Sequence, residues 1–364
     1  MSNPKFPKIP ASFHSELKKR IADYFKQAGK PTTGNFKLYF KAILLVASFI
    51  AVYIHLVFFT PVTVLAITES ILLGCLTAAI GFNVMHDGAH GSFSPYKWLN
   101  SMASNAANFL GASQHMWKTK HNVIHHTYTN IHGVDDDIEA RPLLRLCDEQ
   151  DHYKIHKFQH FYFWAAYSLL YIYWVFVTDY KKYFSGKIGS TPIKKLTPSE
   201  HFYFWFYKAA HAFIFVALPI YILGFLPWLI GFLTMGLVAG FVLSIVFQLA
   251  HTVEHTHFPL PNEATGKMED EWALHQLKTT ANFATKNKLV SWLVGGLNFQ
   301  VEHHLFPKIS HVHYPAISKI IKNACQEHGI QYIEYKRVRT AVASHIAFLK
   351  AMGQRPRHAH AHIH

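Results

Sequence analysis

The chain has 364 residues, enough for one large domain or two small ones, and half of them are apolar with 15% aromatic. The apolar residues come in long blocks rather than in alternation, which argues for a membrane protein. A net charge of +14 suits anionic lipid or an acidic partner. No recognition motif points to nucleic acid, and Cys75, Cys147 and Cys325 are too scattered for a disulfide framework, an iron–sulfur cluster or a zinc-thiolate site.

Residues 1–41 carry nine Lys/Arg against two acids, broken by Pro4, Pro7, Pro10 and Pro31. They read as a basic cytoplasmic arm with an amphipathic helix near 12–28 and no cleavable signal peptide. Residues 42–59 hold no formal charge, and Pro61 separates them from a second apolar run to Met85. Together they predict a tight transmembrane hairpin. Glu69 lies 17 residues before His86, about 25 Å along a helix, and reads as a helix-packing group rather than a ligand. Residues 91–160 are polar, with an interfacial helix expected at 101–113.

Apolar segments follow at 161–177, 202–225 and 226–249. If all three crossed, the histidines before and after them would lie on opposite faces. The first is the shortest and rich in Tyr and Trp, the composition of an interfacial helix, so four spans are expected. The turns at 60–61 and 223–228 lack Lys and Arg, which gather in the arm, the 178–195 loop and the C-terminal segment. Those parts are therefore predicted to be cytoplasmic. Residues 311–353 read as two soluble helices, and 354–364 as a disordered His-rich tail. The expected fold is an all-α integral membrane protein, with four transmembrane helices in two hairpins. A cytoplasmic helical cap would hold a His-rich metal site, and the membrane domain would cover 42–310.

Histidines gather where the apolar runs end. His86 and His90 are four residues apart and share a helix face. His121, His125 and His126 stand at i, i+4 and i+5, so an α-helix would turn His126 about 100° away from the other two; that suits two adjacent metals. Gln300, His303 and His304 share one face, and His251 and His255 begin where the last run stops. Imidazole suits Zn, Cu, Fe and Ni. So many donors exceed the four that one zinc takes and suffice for two metals with room for O₂. Asp87, Asp135, Asp136, Asp137, Glu254 and Glu302 stand beside them and could accept a ligand's second N–H.

Three motifs carry a resemblance: HDGAH at 86–90, HNVIHH at 121–126 and QVEHHLFP at 300–307. They resemble the histidine boxes of the membrane fatty acid desaturase superfamily, and the Gln opening the third resembles its front-end branch, including linoleoyl-CoA (Δ6-type) enzymes. The resemblance implies two non-haem irons that use O₂ and two electrons to remove two hydrogens from a fatty acyl chain carried on CoA or lipid. It implies His86, His90, His121, His125, His126, His303 and His304 as iron ligands. His255 would be the extra histidine beyond the last span, and Gln300 would take a place filled by His in related desaturases. Asp87, Asp137, Glu254 and Glu302 would lie in an outer layer, as would His251, bridging through water or ligating instead. The HPGG haem motif of fused cytochrome b5 domains is absent, as is any GxGxxG. Electrons are therefore expected from a separate ferredoxin- or cytochrome b5-type donor, at the cytoplasmic face of a bacterial inner membrane. The rival readings are a di-iron hydroxylase of lipid or alkane and, more remotely, a metal transporter. The latter is disfavoured because the histidines cluster beyond the span ends.

Overall fold

The computed structural model describes residues 3–10 and 12–355, so the predicted His-rich tail lies almost wholly outside them. Ser12 accepts a bond from the Ser15 N–H to start α1 (Phe13–Ala28), and Gly29, at φ 59°, ends it. Phe13, Leu17, Ile21 and Phe25 recur every four residues and form its buried face. Next, α2 (Phe36–Phe58) starts ahead of the apolar run because Asn35 caps the N–H groups of Lys37 and Leu38. That cap places Lys41 inside the helix.

The second apolar run becomes α3 (Thr63–His90), which continues unbroken through the first histidine pair. Glu69 meets His55 of α2 at 2.7 Å, a contact between two packed helices. After α4 (Lys97–Phe109) and the helical stretch α5 (residues 114–128) come α6 (Lys154–Ser168) and α7 (Leu170–Ser185), bent by 56° where they meet. Then α8 (Pro198–Leu223) and α9 (Phe225–His251) join through Gly224 at φ 83°. Among the described residues, α2, α3, α8 and α9 are long and apolar enough to cross a membrane, with a fifth span if α6 and α7 count as one.

Two of the four helices are inner and two are outer. Half of the most apolar stretch of α3 is buried in the protein and 39% of that of α9, against 22% for α2 and α8. Leu73, Ala78 and Phe82 meet Met235, Ala239, Leu243 and Val246 in the α3–α9 seam. Gly74 allows the approach: a Cβ there would sit 2.6 Å from the Met235 carbonyl oxygen. The bent pair lies against α9, with Ser244 donating to the Tyr167 carbonyl at 3.1 Å. Its two ends return to one layer. Gln159 donates to the Leu349 carbonyl at 2.8 Å, and Lys182 reaches Asp136 at 2.7 Å.

That layer holds the short helices α10 (Trp272–Thr279) and α11 (Gln300–Leu305), followed by α12 (Tyr314–Glu327) and α13 (Val338–Gln354). Leu17 and Ile21 of α1 pack with Val301, Leu305, Ile317 and Ile321 in one core. The basic arm and the C-terminal segment thus close together over the third histidine cluster.

Candidate metal centre

The ends of α3 and α9, the middle of α5 and the whole of α11 converge. Ligand atoms of His86, His90, His121 and His303 lie within 4.8 Å of one another, and so do those of His125, His251 and His304. The rings of His126 and His303 are 4.5 Å apart, as are those of His126 and His304, so His126 stands between the two groups. Gln300 is buried one turn before His304, with neither amide atom hydrogen-bonded.

The backbone departs from an α-helix at two of the boxes. Residues Gly81–Met85 and Thr119–His125 wind with i→i+5 bonds, the His86 N–H to the Gly81 carbonyl and the His126 N–H to the His121 carbonyl. Wider winding brings residues five apart onto one face. The divergence expected of His126 on an α-helix is thereby removed: its Nε2 is 3.2 Å from that of His121. The Nε2 atoms of His86 and His121 are also 3.2 Å apart. A metal–nitrogen bond of about 2.0–2.1 Å would set neighbouring donors at about that separation.

The outer nitrogens are fixed by partners of which the sequence had suggested only Asp135. The Nδ1 of His125 faces the Asp135 carboxylate at 3.1 Å, and that of His304 faces Gln276 Oε1 at 2.8 Å. The Nδ1 of His251 faces the Thr279 carbonyl at 3.1 Å, and that of His303 faces the Tyr314 hydroxyl at 3.1 Å. A carboxylate, a carbonyl or an amide oxygen can only accept, so the proton of His125, His251 and His304 sits on Nδ1. The Nε2 atoms of all four rings are buried without a partner. Buried polar atoms are ordinarily bonded, and four unpartnered imidazole nitrogens buried together, three of them bearing lone pairs, fit metal ions well.

Charge supports the same assignment. Burial holds His121, His126, His303 and His304 well below the ordinary imidazole pKa, so they stay neutral, as ligation requires. Burial also pushes His125 down, but Asp135 and Asp137 outweigh it and raise its pKa. Asp137 reaches His125 at 3.2 Å and Lys120 at 2.6 Å.

Three expected residues stand elsewhere. His255 and Glu254 are exposed beyond the end of α9, where the chain leaves the helix and His255 adopts φ 97°. Glu302 points out of the cluster. Asn282 and Tyr332 donate to it at 2.8 and 2.7 Å, and burial pushes its pKa up to about 7. Asp87 stays close, with an oxygen 4.0 Å from His86 Nδ1. Gln276, Thr279 and Tyr314 carried no local signal, since each is an ordinary helix residue until the fold brings it to an imidazole.

The family model for fatty acid desaturase matches residues 60–336. Over 344 residues the chain is 36% identical to an sn-1 linoleoyl-lipid 6-desaturase of Synechocystis sp., covering 94% of this chain and 96% of the relative. An enzyme of the same name from Arthrospira platensis is 34% identical, covering 94% and 93%. An acyl-lipid (8-3)-desaturase of Physcomitrium patens is 32% identical over 94% of this chain and 72% of its own.

Proposed function

Since the chain belongs to the fatty acid desaturase family, we propose that its buried histidines hold two irons and that its substrate is an acyl chain esterified in a membrane lipid. The activity is desaturation of fatty acyl chains, of the front-end type. The observation that carries the di-iron reading is the set of buried, unpartnered Nε2 atoms of His125, His251, His303 and His304. His86, His90, His121 and His303 would hold one iron, and His125, His251 and His304 the other. His126 would stand between them, with Gln300 beside.

Bound irons would supply the activation of O₂ by which a –CH₂–CH₂– unit, O₂, two electrons and two protons become –CH=CH– and two waters. The chain's own part is positional. Asp135, Gln276 and Thr279 keep the Nδ1 protons of their ligands turned outward, so each Nε2 lone pair stays aimed inward. Burial keeps bulk water away, and a lipid chain entering along the apolar helices would be held with two methylenes at the site. The names of the relatives favour a lipid-bound substrate over an acyl-CoA.

We read α2 with α3 and α8 with α9 as two membrane hairpins, with α6–α7 dipping into the face that carries the histidines. The return of both ends of that bent pair to one layer supports an even count of spans. Residues 12–35 and 311–353 would form the cap, cytoplasmic by their Lys and Arg. That basic surface suits a separate acidic electron donor. The test is fatty-acid analysis of a host that expresses the chain with a reducing partner. A new double bond on the carboxyl side of an existing one, in the lipid fraction, is expected. An unchanged profile, with the purified protein fully loaded with iron and reduced, would overturn the reading.

A further inference from the structure

Lys41 and His311 have no part in the reaction derived so far, yet each is only 6% exposed. Lys41 stands in α2, an apolar helix that supplies no donor to the metal centre. Its ammonium donates to the Trp292 carbonyl at 3.3 Å and to His311 Nε2 at 3.0 Å. An ammonium cannot accept, so His311 Nε2 carries the lone pair and Nδ1 carries the proton. That proton points at Asp87 Oδ2, 3.0 Å away. The Ser310 hydroxyl donates to the same oxygen at 2.8 Å.

The second oxygen of Asp87 is 4.0 Å from His86 Nδ1. That is too long for a hydrogen bond and short enough for charge to matter in a buried site. His86 Nδ1 has no other partner and is buried. A histidine bound to metal through one nitrogen commonly offers the other to a carboxylate, and Asp87 is the one within reach. Lys41 and Asp87 would each be costly if buried alone. One imidazole of fixed tautomer joins them into a neutral chain of three.

We propose that Lys41, His311 and Asp87 are positioning residues for His86, making the four-imidazole iron site depend on a helix that holds none of its ligands. This rests on the di-iron reading above. The other group does not touch this chain: its carboxylates are Asp135 and Asp137, 3.1 and 3.2 Å from His125 Nδ1. Disturbing the chain should therefore change one iron and spare the other.

The experiment compares wild type, His311→Phe, His311→Gln and the double variant Lys41→Met/Asp87→Asn. Iron per chain, chelator release and the Mössbauer spectrum of the reduced protein are measured, alongside Tm. Wild type should hold two irons in two ferrous doublets. His311→Phe should alter one doublet and release that iron about 10–100-fold faster, the range set by loss of an outer partner. The double variant leaves no lone buried charge and so tests the same point in a folded protein; it should show the same single-doublet change near the wild-type Tm. His311→Gln offers an amide donor and acceptor and should recover much of the retention. Lower Tm with both doublets and both release rates unchanged would make the chain a staple of the fold and overturn the proposal. Equal change of both irons would overturn it as well. A wild type without iron would remove the di-iron reading and this inference together.

Discussion

The two imidazole groups lie side by side but are held differently. In the group of His125, His251 and His304 every Nδ1 meets a direct partner: a carboxylate, a main-chain carbonyl and a side-chain amide. In the group of His86, His90, His121 and His303, the Tyr314 hydroxyl meets His303 directly, while Asp87 stands 4.0 Å from His86. The first group has fewer donors, each firmly held. The second has more donors and looser orientation. Donor number and donor order are thus separate properties, and two metals held by these groups would differ in affinity and in their response to mutation.

The most severe way to break the comparison is to remove a donor. His304→Ala or His303→Ala should each reduce product below detection and lower bound iron, the former from the three-imidazole group and the latter from the four-imidazole group. Full activity in either would overturn the site. His251→Ala leaves only two imidazoles in its group and should lose one iron per chain, with activity down at least about 100-fold. His255→Ala should leave iron and product unchanged, because that side chain is exposed and outside both groups. Reversal of that pair would restore His255 as the ligand.

Weaker changes sharpen the contrast. Asp135→Asn keeps an acceptor but removes one of the two carboxylate charges beside His125, and metal titration should show about 10-fold weaker binding at one site. Tyr314→Phe removes a neutral hydroxyl from His303 and should cost only about threefold in iron retention. A larger loss for Tyr314→Phe than for Asp135→Asn would contradict the order drawn here. Smallest of all in its effect on activity is a topological probe. Cysteine substituted at Ser185 and at Trp228 should label from opposite sides of the membrane while product yield stays level.

Much of this was legible in the sequence because it is written in runs and spacings. The apolar blocks gave α3, α8 and α9, and histidines of the clusters at 86–90, 121–126 and 300–304 came together as one site. The sequence reading put His255 among the ligands and His251 in the outer layer, although their places turn on where α9 ends, which spacing does not show. It ends at His251, and the backbone then turns His255 outward. The i→i+5 winding at 119–125 left no sequence mark either, although it decides where His126 points. Lys41 looked like the last residue of a solvated arm. The Asn35 cap and the distant His311 place it in the interior. Partners such as Gln276 and Tyr314 depend on contacts between segments far apart in the chain, which periodicity does not encode.

Two irons bound by unlike sets of imidazoles should leave the protein separately. Metal analysis of protein purified from iron-sufficient cells, combined with stepwise removal by a chelator, tests it most directly. Two irons per chain that leave at two distinct rates are expected, with His251→Ala abolishing one phase only. One zinc per chain and no iron would contradict this.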